Sequence, residues 1–147
     1  MQEVSVEHPA DVLIAQQVVR QDARALGFSR SACAELMIVA SELSSNILKY
    51  GKRGVLRIER VDDPTRGLAL RLVAEDEGPP FKSFETAQLD GFDDEGPLDP
   101  LELVRRKGTG SGLGAVRRMT HELVCEPLPV GKAVIATRWL APPSSRR

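Results

Sequence analysis

The sequence predicts an α+β domain, and three observations carry that assignment. Between residues 9 and 50 apolar side chains recur every three or four positions, the spacing of helices with one buried face. From Val55 to Arg60, and again from Leu68 to Glu75, the spacing changes to alternation, as in strands. The 147 residues suit one domain with one sizeable core. We place that domain at residues 1–140, with a frayed tail at 141–147 that holds two prolines and two serines.

In order, residues 4–6 read as a short edge strand. Pro9 and Asp11 mark a helix start. Val12, Ala15, Val19 and Leu26 give that helix an apolar face up to Gly27. Ser29 is the expected N-cap of a second helix that runs to Tyr50, with Gly51 as C-cap. Leu36, Ala40, Leu43, Ile47 and Tyr50 form its buried stripe. Glu42 and Asn46 are four apart and share a face, each about 100° around the axis from a stripe residue. They border the core, where a carboxylate and a carboxamide require polar partners or a ligand.

Val55 to Arg60 predicts a strand with one wet face. Asp62-Asp63-Pro64 through Gly67 forms a turn, and a second strand covers Leu68 to Glu75. Alternation puts Leu68, Leu70, Leu72, Ala74 and Asp76 on one side. The leucines must face the core, so Asp76 either opens a loop or places a carboxylate on a pocket floor.

Residues 77–109 show no clear period, and so long a loop in a compact domain is functional or disordered. Ser83 to Val104 carries seven acidic residues and no basic one, the pattern of a solvated segment. Arg105-Arg106-Lys107 then leads directly into Gly108-Thr109-Gly110-Ser111-Gly112-Leu113-Gly114. Ala115 to Leu123 reads as a helix. Glycines that open a helix let backbone N–H groups approach an anion; a hinge or a tight packing site would use them as well. Strands at Leu123–Glu126 and Ala133–Leu140, joined by the turn Pro127–Gly131, complete the order. Trp139 and Tyr50 read as packing residues.

Several classes are excluded. The net charge of −1 argues against a nucleic-acid binder, and no apolar run is long enough to cross a membrane. The N-terminus lacks the regions of a signal peptide, so a cytoplasmic location is expected. Cys33 and Cys125 are then reduced packing residues; with His8 and His121 they lack any zinc-ligand pair spacing. Gly110, Gly112 and Ala115 fit a dinucleotide spacing, but a basic triplet precedes them instead of a strand and no acidic residue lies about twenty positions on. There is no GxxxxGK[ST] phosphate loop and no HRD or DFG triplet.

Glu42-Leu-Ser-Ser-Asn46, then Asp76-Glu77-Gly78, then Gly110-Ser111-Gly112 resemble, in order, the N, G1 and G2 boxes of the Bergerat-fold, or histidine kinase-like, ATPases. The resemblance spans roughly residues 10–140. Asn46-Ile-Leu-Lys-Tyr-Gly, Asp90-Gly91-Phe92 and Val116-Arg-Arg-Met119 are most similar to the anti-sigma-factor type serine/threonine kinases, closest to the stressosome switch kinases. The resemblance implies a two-layer α+β sandwich, with helices on one face of a mixed, mostly antiparallel sheet. It implies ATP and Mg²⁺ as cofactors. Asn46 would ligate the metal through its amide oxygen, and Glu42 would orient or deprotonate the attacking hydroxyl. Asp76 would accept from the adenine amino group, and Gly78 would let the chain pass close to the base. Gly108, Gly110 and Gly112 would approach the phosphates, with Arg106 and Lys107 supplying positive charge. The implied substrate is a STAS-domain anti-sigma antagonist, and a PP2C-type phosphatase or a sigma factor is a further implied partner. A non-catalytic nucleotide-binding module that acts on such a partner by contact is the alternative. In one respect the chain departs from the family: Pro80 stands where the G1 box has its second glycine, so this loop must follow another path.

Overall fold

Two long helices lie across one face of an antiparallel sheet, as their single apolar stripes require. The computed structural model describes residues 1–50, 53–88, 92–93, 96–97 and 112–141. Strand β1 (Gln2–Val6) leads into helix α1 (Pro9–Leu26) and helix α2 (Arg30–Tyr50). Strands β2 (Gly54–Asp63) and β3 (Gly67–Asp76) form a hairpin. After a single helical turn, α3 (Phe84–Ala87), and a two-residue pair, β4 (Phe92–Asp93) with β5 (Gly96–Pro97), comes helix α4 (Leu113–Met119). Strands β6 (Glu122–Pro127) and β7 (Lys132–Trp139) close the chain. The main sheet has the order β1-β2-β3-β7-β6, and all four of its pairings are antiparallel.

The helix ends form where their local chemistry dictates. Asp11 Oδ2 accepts from the N–H groups of Glu7 and His8, at 2.8 and 2.9 Å, and holds the entry to α1. Gly27, at φ 104°, ends it in the left-handed conformation that favours glycine. Ser29 Oγ accepts from the Ala32 N–H at 3.1 Å and caps α2 as expected.

Alternation decides which strand side chains meet the helices. Val4, Val6, Leu56, Ile58, Leu70, Leu72, Ala74, Val134 and Ala136 form the sheet side of the core. Ala15, Val19 and Ala23 of α1 and Leu36, Ala40, Leu43 and Ile47 of α2 form the helix side, with Leu113 and Val116 of α4. Each fully buried leucine contributes about 2 kcal/mol relative to an exposed one. The lower end of α2 comes down over Gly54, where a Cβ would collide with the Ile47 side chain. That close approach sets the end of α2 beside the ends of β2 and β3. On the opposite face, Arg57 pairs with Glu59 and Glu75. Trp139 is buried beneath the Arg66 guanidinium and donates from Nε1 to Glu122 at 3.1 Å, so it is a packing residue.

Two expectations change. The helix read from Ala115 to Leu123 stops at Met119. Thr120 is extended at φ −131°, ψ 163°, and its hydroxyl donates to the Val116 carbonyl at 2.7 Å. The His121 N–H donates to the Thr137 carbonyl at 2.9 Å, so pairing with β7 replaces a further helical turn. The unpatterned region holds one capped turn, in which Ser83 Oγ accepts from the Thr86 N–H. Arg106, Lys107, Gly108 and Gly110 lie outside the described residues, as do Gly51 and residues 142–147. Among the described residues no helix is long and apolar enough to cross a membrane.

Candidate functional site

Glu42 and Asn46 are half-buried on α2, at the border of the core where their spacing placed them. Asp76, at the end of β3, keeps the inward parity of Leu70, Leu72 and Ala74 and is buried. The two elements meet there. Asn46, Asp76, Phe81 and Lys132 surround a narrow crevice floored by Leu43, Ala74 and Val134.

Asp76 is held from three directions. Its Oδ1 accepts from the Gly78 N–H at 2.8 Å and from Lys132 Nζ at 3.0 Å. Both side chains of that ion pair are 6% exposed. Lys132 Nζ also donates to the Pro79 carbonyl at 2.8 Å and stands 5.2 Å from the centroid of the Phe81 ring, a cation–π distance. On the backbone side, Gly131 at φ 88° packs where a Cβ would overlap the Asp76 carbonyl. In this loop Gly78 turns back to the carboxylate, and the Pro79 carbonyl faces the lysine.

Lys132 is the residue that sequence reasoning missed. The predicted last strand began at Ala133, whereas β7 begins at Lys132, the register partner of Asp76. The available signal was parity. Lys132 shares a face with Val134 and Ala136, and a lysine on a core face requires an acid.

The described part of the glycine run is its end. Gly112 is buried, adopts φ 48° and ψ −107°, and N-caps α4, its carbonyl accepting from the Ala115 and Val116 N–H groups. The four other residues expected near phosphate lie outside the described residues.

A purine and its phosphates fit the donor set in part. Both bonds to Asp76 fall on Oδ1, and Oδ2 takes none among the described residues. A carboxylate oxygen with spare capacity suits an exocyclic amino donor. Magnesium commonly takes one or two protein oxygens with phosphate oxygens and water, so the single amide of Asn46 suffices in kind. The crevice itself measures about 10 Å³, room for at most one water, so entry of a base requires Phe81 and its loop to move. On another side of Asp76 a groove of about 800 Å³ opens between Ile47, Leu48, Arg53 and Glu77, large enough for a small-molecule ligand.

Cys125 and His121 read as structural groups. Burial pushes the Cys125 thiol up, which keeps it protonated and unreactive. Burial, then the Arg138 and Arg66 guanidiniums, hold His121 below its usual range, and its Nδ1 accepts from the Trp139 N–H at 3.0 Å.

Comparison with known proteins agrees with this fold. The family model described as the histidine kinase-like ATPase domain matches residues 6–138. The serine/threonine-protein kinase RsbT of Bacillus subtilis (strain 168) is 31% identical over 131 residues, 88% of this chain and 90% of RsbT. A nucleotide-free form of the catalytic domain of the histidine kinase ThkA superposes with a TM-score of 0.54 at 15% identity, covering 97% of this chain and 100% of that domain. A second form gives a TM-score of 0.51 at 15% identity, covering 95% and 97%. At that identity the likeness to ThkA concerns the fold alone.

Proposed function

The chain belongs to the histidine kinase-like ATPase domain family, and from that footing we propose that it is an ATP-dependent serine/threonine protein kinase acting as a partner switch. Its substrate is a STAS-domain anti-sigma antagonist, so its output reaches a sigma factor, directly or through a PP2C-type phosphatase. Similarity to RsbT supports the kinase assignment over nucleotide binding alone. The observation that carries the reading is the meeting of Asn46 and Asp76, thirty residues apart in sequence, at one crevice.

Each residue has a role in that chemistry. Asp76 Oδ2 accepts from the base amino group and fixes the orientation of the nucleotide. Asn46 offers its amide oxygen to magnesium, which when bound neutralises phosphate charge. Glu42, one helical turn before Asn46, takes the proton from the attacking hydroxyl of the substrate, a contribution of about 10²–10⁴ in rate. Gly78 lets the loop lie against the base. Arg106 and Lys107 offset charge on the transferring phosphoryl group, and the N–H groups of Gly108, Gly110 and Gly112 receive the phosphates.

The closed crevice favours a second reading, in which the domain switches its partner by contact and does no chemistry. Labelled phosphate separates the two. With Mg-ATP and a STAS partner, wild type should label a serine or threonine of the partner. Glu42→Ala should bind ATP as wild type does and transfer none. Label on the partner excludes the contact-only reading; absence of any Mg-dependent ATP binding by wild type excludes the kinase reading.

A further inference from the structure

The proposed nucleotide reading leaves Lys132 without a role, although it is a buried cation at the site. A buried ammonium is costly, and among the described residues Lys132 has two acceptors, Asp76 Oδ1 and the Pro79 carbonyl. An ammonium carries three donors, so one remains beyond those two bonds. Asp76 likewise has an oxygen, Oδ2, that accepts nothing among the described residues. An acceptor that takes no bond among the described residues and an ammonium whose remaining donor has only the Phe81 ring before it therefore stand side by side, on adjacent strands locked in register. That pair is the complement of a ligand edge bearing a donor next to an acceptor.

Resting on the proposed ATP reading, we propose that Lys132 is a second base-reading residue: its Nζ donates to the ring N1 of adenine while Asp76 Oδ2 accepts from the 6-amino group. In the structure described here Lys132 also ties the Pro79 carbonyl and faces Phe81, and so closes the loop over the crevice. When a base enters, Phe81 yields and the spare donor of the ammonium turns to N1. The bond to Asp76 is kept, so the carboxylate is never left without its cation. Lys132 thereby adds selectivity at N1, an atom that a lone carboxylate cannot recognise because both are acceptors.

The test compares ATP with 1-deaza-ATP, in which a C–H replaces N1 and the amino group is retained. For wild type, calorimetry should give at least about tenfold weaker binding of the deaza analogue, the loss of one hydrogen bond from a charged donor. For Lys132→Met the two nucleotides should bind alike. A residue that only closed the loop would weaken both nucleotides by the same factor and leave their ratio unchanged. Equal affinity of wild type for ATP and 1-deaza-ATP overturns the proposal, and this arm needs no variant. An unchanged ratio in Lys132→Met overturns it as well. Wild type that binds neither nucleotide defeats the ATP reading itself, whereas tight ATP binding with no discrimination defeats only the role of Lys132. Tighter binding of GTP than of ATP also overturns it, since guanine presents the reverse order of donor and acceptor.

Discussion

Replacing Lys132 with methionine removes the cation from a buried pair while keeping an unbranched apolar side chain of similar length. Both partners are 6% exposed, so solvent screens them little. Breaking a buried pair from one side costs about 3–5 kcal/mol, because the remaining charge is left uncompensated. Asp76 keeps the Gly78 N–H bond, which places the expected loss near the lower end, about 3 kcal/mol. For a chain of this size that is a fall in Tm of about 6–12 °C. The assay is urea unfolding without nucleotide at pH 7.5, reading the midpoint at unchanged slope. The double variant Asp76→Asn/Lys132→Met removes both charges and should cost less than the sum of the singles, by about 1–3 kcal/mol. A Lys132→Met midpoint within about 0.5 kcal/mol of wild type, the range of surface substitutions, would show that the ammonium lies in solvent and that no buried pair exists.

Two further outcomes follow from single contacts. Gly131→Ala forces a side chain into a left-handed position and against the Asp76 carbonyl; it should destabilise by about 2 kcal/mol or more and weaken ATP binding with it, and a wild-type melt would refute that turn geometry. His121 has a lowered folded-state pKa, so the unfolded chain binds its proton first as pH falls. Its contribution is therefore complete above about pH 6.5 and is lost as pH drops through the folded value. The urea midpoint of His121→Gln should fall less than that of wild type between pH 7.5 and 5.5; equal falls would remove His121 as a cause.

What the sequence disclosed was mostly local. The cap at Ser29 and the inward parity of Asp76 follow from period and side-chain chemistry, and both hold in the structure. The meeting of Asn46 with Asp76 does not follow from any period. It depends on α2 descending over Gly54, a contact between distant residues that only the family resemblance anticipated. Lys132 escaped notice because a strand boundary one residue late left it outside the strand, between the turn and the core face. The overlong helix after the glycines has a similar cause. Met119-Thr120-His121-Glu122 contains no glycine or proline stop, and the pairing of β6 with β7 that ends the helix is invisible to local propensity.

The most direct measurement is titration of wild type and Asp76→Asn with ATP and magnesium by calorimetry, with unfolding curves confirming that both are folded. Wild type should bind one nucleotide in a magnesium-dependent manner, and Asp76→Asn should bind at least about tenfold more weakly, as loss of a charge-assisted bond requires. Folded wild type that takes up no nucleotide, or a variant that binds as tightly as wild type, would contradict a nucleotide site at Asp76.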